Sequence, residues 1–147
     1  MKTHVVKPHA NRPRHAAGEV VWATVGNYIE DMNATAKMRP VVILQTGACQ
    51  HRVVGLTTQP TFKSNGESRA LLPIHHTCRL CGASYLWSPR PSWLCRLDVR
   101  WHIGWIGHEA LEVIEQHVRL PWHVRAELRA VADAQSNTDG KVPAATL

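Results

Sequence analysis

Short apolar runs separated by turn residues dominate the chain from Gly18 onward. EVVWATV (19–25), PVVILQT (40–46) and RVVGLTT (52–58) are rich in β-branched side chains and too short for helices, so each reads as a strand. TGACQH between the last two is a hairpin-sized connection. PTFKSNGES (60–68) has turn chemistry, with Asn65-Gly66 at its tip. RALLPIH (69–75), SYLWS (84–88), SWLCRLD (92–98) and WHIGWI (101–106) read as further short strands. Such closely connected strands predict a small barrel or a strongly bent sheet.

The apolar spacing changes towards the C-terminus. HEALEVIEQHV (108–118) sets Leu111, Ile114 and Val118 on one helical face, with Glu109, Glu112 and Glu115 near the end where the helix dipole favours acids. Pro121 interrupts, and WHVRAELRAVADAQ (122–135) repeats the spacing with Val124, Leu128 and Val131. NYIEDMNATAKM (27–38) has no such period and reads as a long polar loop before Arg39-Pro40. These patterns divide the chain into a flexible basic arm (1–17), a strand-rich domain ending in a helix (18–118), an additional helix (119–135) and a tail expected to fray (136–147).

Composition narrows the class. A chain of 147 residues with 44% hydrophobic and 19% charged residues has the make-up of one folded domain. No apolar run approaches the ~20 residues that span a bilayer, and no apolar segment follows the basic N-terminus. The expectation is a cytoplasmic protein with no membrane partner, its four cysteines reduced or metal-bound. The net charge of +6 is uneven: residues 37–100 hold nine Lys or Arg against Glu67 and Asp98, whereas 101–147 is net acidic. A positive field on the folded part favours a polyanion partner, nucleic acid first.

The motifs of nucleotide-binding, serine-hydrolase and zinc-protease chemistry are absent: there is no Gly-rich phosphate loop, no G-x-S-x-G and no H-E-x-x-H. Carboxylates are too scarce in the strand-rich region for an acid pair or a two-metal nuclease. What remains is an arginine and hydroxyls at strand ends. If 40–46 and 52–58 pair antiparallel, Arg39 at the start of one meets Thr57 and Thr58 at the end of the other. A guanidinium matches a phosphate bidentately and stays charged, and a hydroxyl adds a hydrogen bond. By alternation Thr57 shares a face with Val53 and Gly55, and Thr58 shares the other with Val54 and Leu56.

GEVVW (18–22), RPVVIL (39–44), VVGLTTQ (53–59), Ser84-Tyr85 and RLDVRWHIGWIGHEALEVIEQHV (96–118), in this order, resemble the PemK/MazF-like toxins of type II toxin–antitoxin modules. The resemblance covers roughly residues 18–118. It implies an α+β, mainly β fold, a small SH3-like barrel of the PemK/MazF/CcdB-like kind with C-terminal helices, assembled as a homodimer and inhibited by a cognate antitoxin protein. It also implies an endoribonuclease that cuts single-stranded RNA without a metal cofactor, with Arg39 and Thr57 as catalytic residues. The 2′-hydroxyl would attack the phosphorus and leave 2′,3′-cyclic phosphate and 5′-hydroxyl ends. Lys37, Thr58, Gln59, Lys63 and Ser84 fall where the RNA groove would lie. Two alternatives use the same barrel without cleavage: a nucleic-acid- or protein-binding module, and a gyrase-poison-like binder.

HHTCRLCG (75–82) stands outside that pattern. His75, Cys78 and Cys81 have knuckle-like spacing, and Cys95 completes a candidate set for a structural zinc ion; packed thiols are the competing reading. Six of the nine aromatic residues are tryptophan. Trp22, Trp101 and Trp105 alternate with aliphatics and are expected in the core. Trp87 and Trp93, flanking SPRPS, are better candidates than these for a stacking or antitoxin contact, with packing the competing reading.

Overall fold

The computed structural model describes residues 15–26, 37–74, 78, 80 and 82–146, with side chains described as far as Ser136. Most of the basic arm (1–14), most of the first loop (27–36), and His75, His76 and Cys81 lie outside the described residues. The strands are β1 (Glu19–Val25), β2 (Lys37–Gln45), β3 (Gln50–Thr57), β4 (Leu71–Leu72), β5 (Ser84–Leu86), β6 (Ser92–Cys95) and β7 (Val99–Trp105). The helices are α1 (His108–His117) and α2 (Trp122–Thr146).

The protein is mainly β, a curled antiparallel half-barrel sheet with two helices packed on it. Six strands follow the order β4-β5-β3-β2-β1-β7. One edge of β3 serves two partners: β6 pairs with Gln50–Val53, and β5 with Leu56 and Thr57. Two register shifts in the β1–β7 ladder, between Val20 and Val21 and between Trp22 and Ala23, interrupt its regular pairing. Bulges of this kind bend a strand and increase its twist, which is what a curled sheet requires.

Alternation along β1, β2 and β3 feeds two cores. Val20, Val42, Leu44, Val54 and Leu56 join the larger one, which the helices close with Ala110, Leu111, Ile114, Val118, Val124, Leu128 and Ala132. Val21, Ala23, Val25, Val41, Ile43 and Val53 form the smaller one on the other face, with Leu94 from β6 and Val99 packed against it. The helix faces follow the predicted spacing, except that Ala132 is buried where Val131 was expected and Val131 is half-buried.

Several elements differ from their predicted extent: β2 begins at Lys37, inside the segment read as loop, β5 stops at Leu86, and β7 begins at Val99. RALLPIH keeps only Leu71–Leu72 as strand, since Pro73 has no N–H to continue the ladder. SWLCRLD divides after Cys95 into β6 and a 3-10 turn over Arg96–Asp98. The second helix runs past 135, its expected end, to Thr146. The 60–68 turn matches its prediction: Gly66 has a φ of +71°, its N–H donates to the Phe62 carbonyl at 2.9 Å, and the Glu67 N–H donates to Asn65 Oδ1.

Gly18 couples the start of the sheet to both layers. Its N–H donates to the Ile43 carbonyl at 2.7 Å, and its carbonyl accepts from Ile106 N–H at 2.9 Å. Its φ is +86°, and a Cβ there would press on the Val131 side chain of α2. Gly18→Ala is therefore expected to lower the thermal midpoint, at a cost of at least about 1 kcal/mol from the backbone alone. Thermal unfolding by circular dichroism checks this, and an unchanged midpoint would contradict it.

Candidate functional site

The β2–β3 register pairs Val41 with Gly55 and Val42 with Val54; continued two residues past its last pair, it would set Arg39 opposite Thr57. Arg39 pairs with Ala23 on β1, Thr57 with Tyr85 on β5, and Tyr85 with Leu71 on β4. Both residues thus belong to cross-strand rows at the same end of the sheet. Arg39 and Thr57 fall on the smaller-core face, since both alternate in step with Val41, Ile43 and Val53. Arg39 is half-buried and Thr57 is 6% exposed. The Thr57 hydroxyl oxygen accepts a hydrogen bond from Gln59 N–H at 3.1 Å, which fixes the turn leaving β3 and leaves the hydroxyl proton to be donated.

Trp87 completes this corner. Its N–H donates to the Gly55 carbonyl at 2.8 Å, so it continues the β5 pairing opposite a residue with no side chain. Its indole is 6% exposed, and the Arg39 guanidinium lies over the ring, 4.3 Å from the centroid. A second guanidinium, that of Arg69, is 4.8 Å from the same ring and is itself only 7% exposed. Arg69 Nε donates to the Trp87 carbonyl at 3.0 Å, and another of its nitrogens donates to the carbonyls of Gln59 and Thr61. Sequence reasoning missed Arg69. Its only signal was a basic residue beside the aromatic-containing turn 60–68, and nothing in the sequence shows that the chain brings three carbonyls around it.

Of the other candidates, Lys37, Thr58, Gln59 and Lys63 are exposed near these strand ends. Ser84 is not with them: it is 7% exposed and alternates with Tyr85, which puts it on the helix-covered face beside Leu72. Trp93 is 61% exposed, as expected of a surface contact. Trp87, one of the two contact candidates, is buried, and Trp101, expected in the core, is not. Trp101 is 56% exposed on the edge strand β7, tilted against half-buried Trp22 at 6.5 Å.

Of the cysteine cluster, Cys78 and Cys95 are described. Cys78 is buried, bridges to Gly104 on β7, and its thiol donates to the Trp105 carbonyl at 3.8 Å. Cys95 is half-buried on β6, opposite Gln50 of β3. In the sheet, β3, β2 and β1 stand between β6 and β7. Among the described residues no group of three or more His, Cys, Asp or Glu side chains is arranged to hold a metal ion. A cleft of about 390 Å³ lies elsewhere, between the end of β2 and the start of α2, lined by Leu44, Gln45, Arg52, Arg119, Leu120, Pro121 and Val124. No described helix is long and apolar enough to cross a membrane.

A second polar cluster occupies the opposite end of β1. Glu19 is 5% exposed and accepts from Ala16 N–H at 3.0 Å, with His15 Nδ1 and His102 Nδ1 each 2.9 Å from its Oε2. Nearby His51 is 6% exposed, and its Nδ1 accepts from Gly47 N–H at 3.3 Å, which requires that nitrogen to be unprotonated. Burial, and then the charges of His15 and Arg96, hold the His51 pKa below its ordinary 6.5, against an opposing pull from Glu19.

A lowered folded-state pKa fixes the sign of the pH dependence. Above pH 6.5 the imidazole is neutral in both states and its contribution is complete; as pH falls below 6.5 the unfolded chain takes up the proton first, so stability is lost. His51→Asn, which keeps an acceptor near Nδ1, should flatten this part of the profile. The check is the difference in thermal midpoint between wild type and variant at pH 7.5 and about pH 5.5; parallel profiles would contradict the assignment. Compared with known protein families and with curated proteins, the sequence matches none.

Proposed function

We propose that the chain is a metal-independent endoribonuclease of the PemK/MazF-like toxin kind, an SH3-like barrel that works as a cytoplasmic homodimer and is held inactive by an antitoxin. The observation that carries this reading is that half-buried Arg39 of β2 and Thr57 of β3 lie at the same end of two paired strands and on the same face of the sheet. Exposed Lys37, Thr58, Gln59 and Lys63 lie near the same strand ends, and the surrounding segment 37–100 is strongly basic. Single-stranded RNA is held through phosphates in such settings, and an extended strand needs no enclosed pocket. Ser84, buried on the other face, has no part in this groove.

The chemistry follows from the two side chains. The ribose 2′-hydroxyl gives up its proton to water as its oxygen attacks the adjacent phosphorus, the bond to the 5′-oxygen breaks, and the leaving oxygen takes up a proton from water. Negative charge grows on the non-bridging oxygens as the phosphorane forms. Arg39 offers donors in a fixed plane to those oxygens and stabilises the charge where it develops. Thr57, held through its oxygen by Gln59 N–H, donates its own hydroxyl hydrogen to the phosphate. Arg39 keeps its proton at any usable pH, so its part is electrostatic and not proton transfer. Structural zinc through His75, Cys78, Cys81 and Cys95 is a separate proposal, to which the cleavage chemistry is indifferent.

Incubation of the purified protein with single-stranded RNA in EDTA is expected to give 2′,3′-cyclic phosphate and 5′-hydroxyl ends. Arg39→Ala should slow cleavage by at least about a hundredfold with its circular dichroism unchanged, and Thr57→Val should slow it less. An Arg39→Ala protein that cuts at the wild-type rate would falsify the assignment. RNA bound tightly and never cut would instead favour the binding-module reading. For the cysteine cluster, metal analysis of untagged protein decides: less than about a tenth of an equivalent of zinc ends that proposal.

A further inference from the structure

Arg69 is buried and cationic, and its charge is met by carbonyls and ring faces. Its guanidinium donates to the carbonyls of Trp87, Gln59 and Thr61, and it packs over two rings, Phe62 at 4.5 Å and Trp87 at 4.8 Å. Its backbone N–H is committed as well, donating to the Pro60 carbonyl at 2.7 Å. Each of these contacts holds a segment next to one of the two candidate catalytic side chains.

Two short paths start from this guanidinium. The first runs through Gln59: Arg69 binds its carbonyl, and its N–H donates to the Thr57 hydroxyl oxygen at 3.1 Å. The second runs through Trp87: Arg69 binds its carbonyl and packs on its ring, and the same ring carries Arg39 at 4.3 Å. Arg69 therefore acts on both candidate residues, each through one intermediate. Its fork is turned to these carbonyls and ring faces, so its part is to position them.

We infer that Arg69 is the positioning residue of the site, a single buried fork that sets Thr57 through Gln59 and Arg39 through Trp87. The inference rests on the ribonuclease reading. A planar guanidinium is needed because three carbonyls and two ring faces are engaged at once. A lysine ammonium keeps the charge and much of the length but has neither the fork nor a flat face. Arg69→Lys is thus the informative variant, and Trp87→Phe is its partner, since phenylalanine keeps a ring for Arg39 and alters its size.

The test compares wild type, Arg69→Lys and Trp87→Phe for thermal midpoint, RNA affinity, cleavage kinetics in EDTA, and amide hydrogen exchange at Gln59. Arg69→Lys is expected to remain folded, to lower kcat by about a hundredfold with KM within about threefold, and to speed exchange of the Gln59 amide; a misplacement of about 1 Å is enough for such a loss. Trp87→Phe should lower kcat by a smaller factor and speed Gln59 exchange less than Arg69→Lys does, because it leaves the hydrogen bonds of the Arg69 fork to the carbonyls in place. A merely structural role for Arg69 would lower the thermal midpoint and leave kcat of the folded fraction intact, and that result overturns the inference. Unchanged Gln59 exchange in Arg69→Lys overturns it equally. A wild-type protein that does not cut RNA defeats the ribonuclease reading first, and the role of Arg69 with it. Gln59 exchange then still reports whether the fork orders the turn after Thr57.

Discussion

Strand β2 is buried on both faces and paired on both edges, and the rest of the sheet depends on it. Val41, Val42, Ile43 and Leu44 are all fully buried, alternately in the smaller and the larger core. A strand with apolar residues on both faces gives alternation little power to fix register, because a one-residue slip exchanges one apolar set for another. The polar ends have to choose. At one end Gly18 N–H donates to the Ile43 carbonyl and Glu19 accepts bonds from Ala16, His15 and His102. At the other, Arg39 reaches the Trp87 ring across β3. A slip would turn Arg39 toward the helices, away from both Trp87 and Thr57.

The two ends use the same physical device with opposite charge. Glu19 and Arg69 are each more than nine-tenths buried, and taking either ion out of water costs several kcal/mol before any compensation. Glu19 is met by a backbone N–H and two imidazoles, Arg69 by carbonyls and ring faces. Such groups contribute less to net stability than apolar packing of equal volume, yet removing one partner leaves a desolvated charge behind. Their effect is on geometry. They hold in one arrangement two stretches of irregular backbone: 15–18, which Ala17 ties to the larger core, and 59–62, which contributes no residue to either core.

How much could be read from the sequence follows from this. β1, β2 and β3 were legible because each is a β-branched run long enough to outweigh its flanks, and α1 because its apolar residues keep a helical period. That Arg39 and Thr57 fall at one end of paired strands and on one face followed from a hairpin and a parity. The interruptions of the β1–β7 ladder were not legible, since a bulge adds a residue without changing composition, and Trp101, expected in the core, is exposed. The burial of Trp87 was not legible for another reason: it lies across the ladder from Gly55, a long-range partner that local pattern does not contain. Ser84 failed on parity alone, with Leu86 on its own face and Tyr85 on the other. Arg69 looks like any basic residue after a turn until the carbonyls around it are known.

The way Arg39 is held bears on what it can do. An indole engages the face of a guanidinium, whereas the N–H donors lie in its plane and point outward. A hold by the face therefore orients the plane of the fork without itself using a donor. The aromatic support also excludes water from one side of the cation, which strengthens its interaction with an anion on the other. Under the proposed ribonuclease reading such a seat has two uses: it would fix the plane of the fork before substrate arrives, and it would keep the charge poorly screened where negative charge grows.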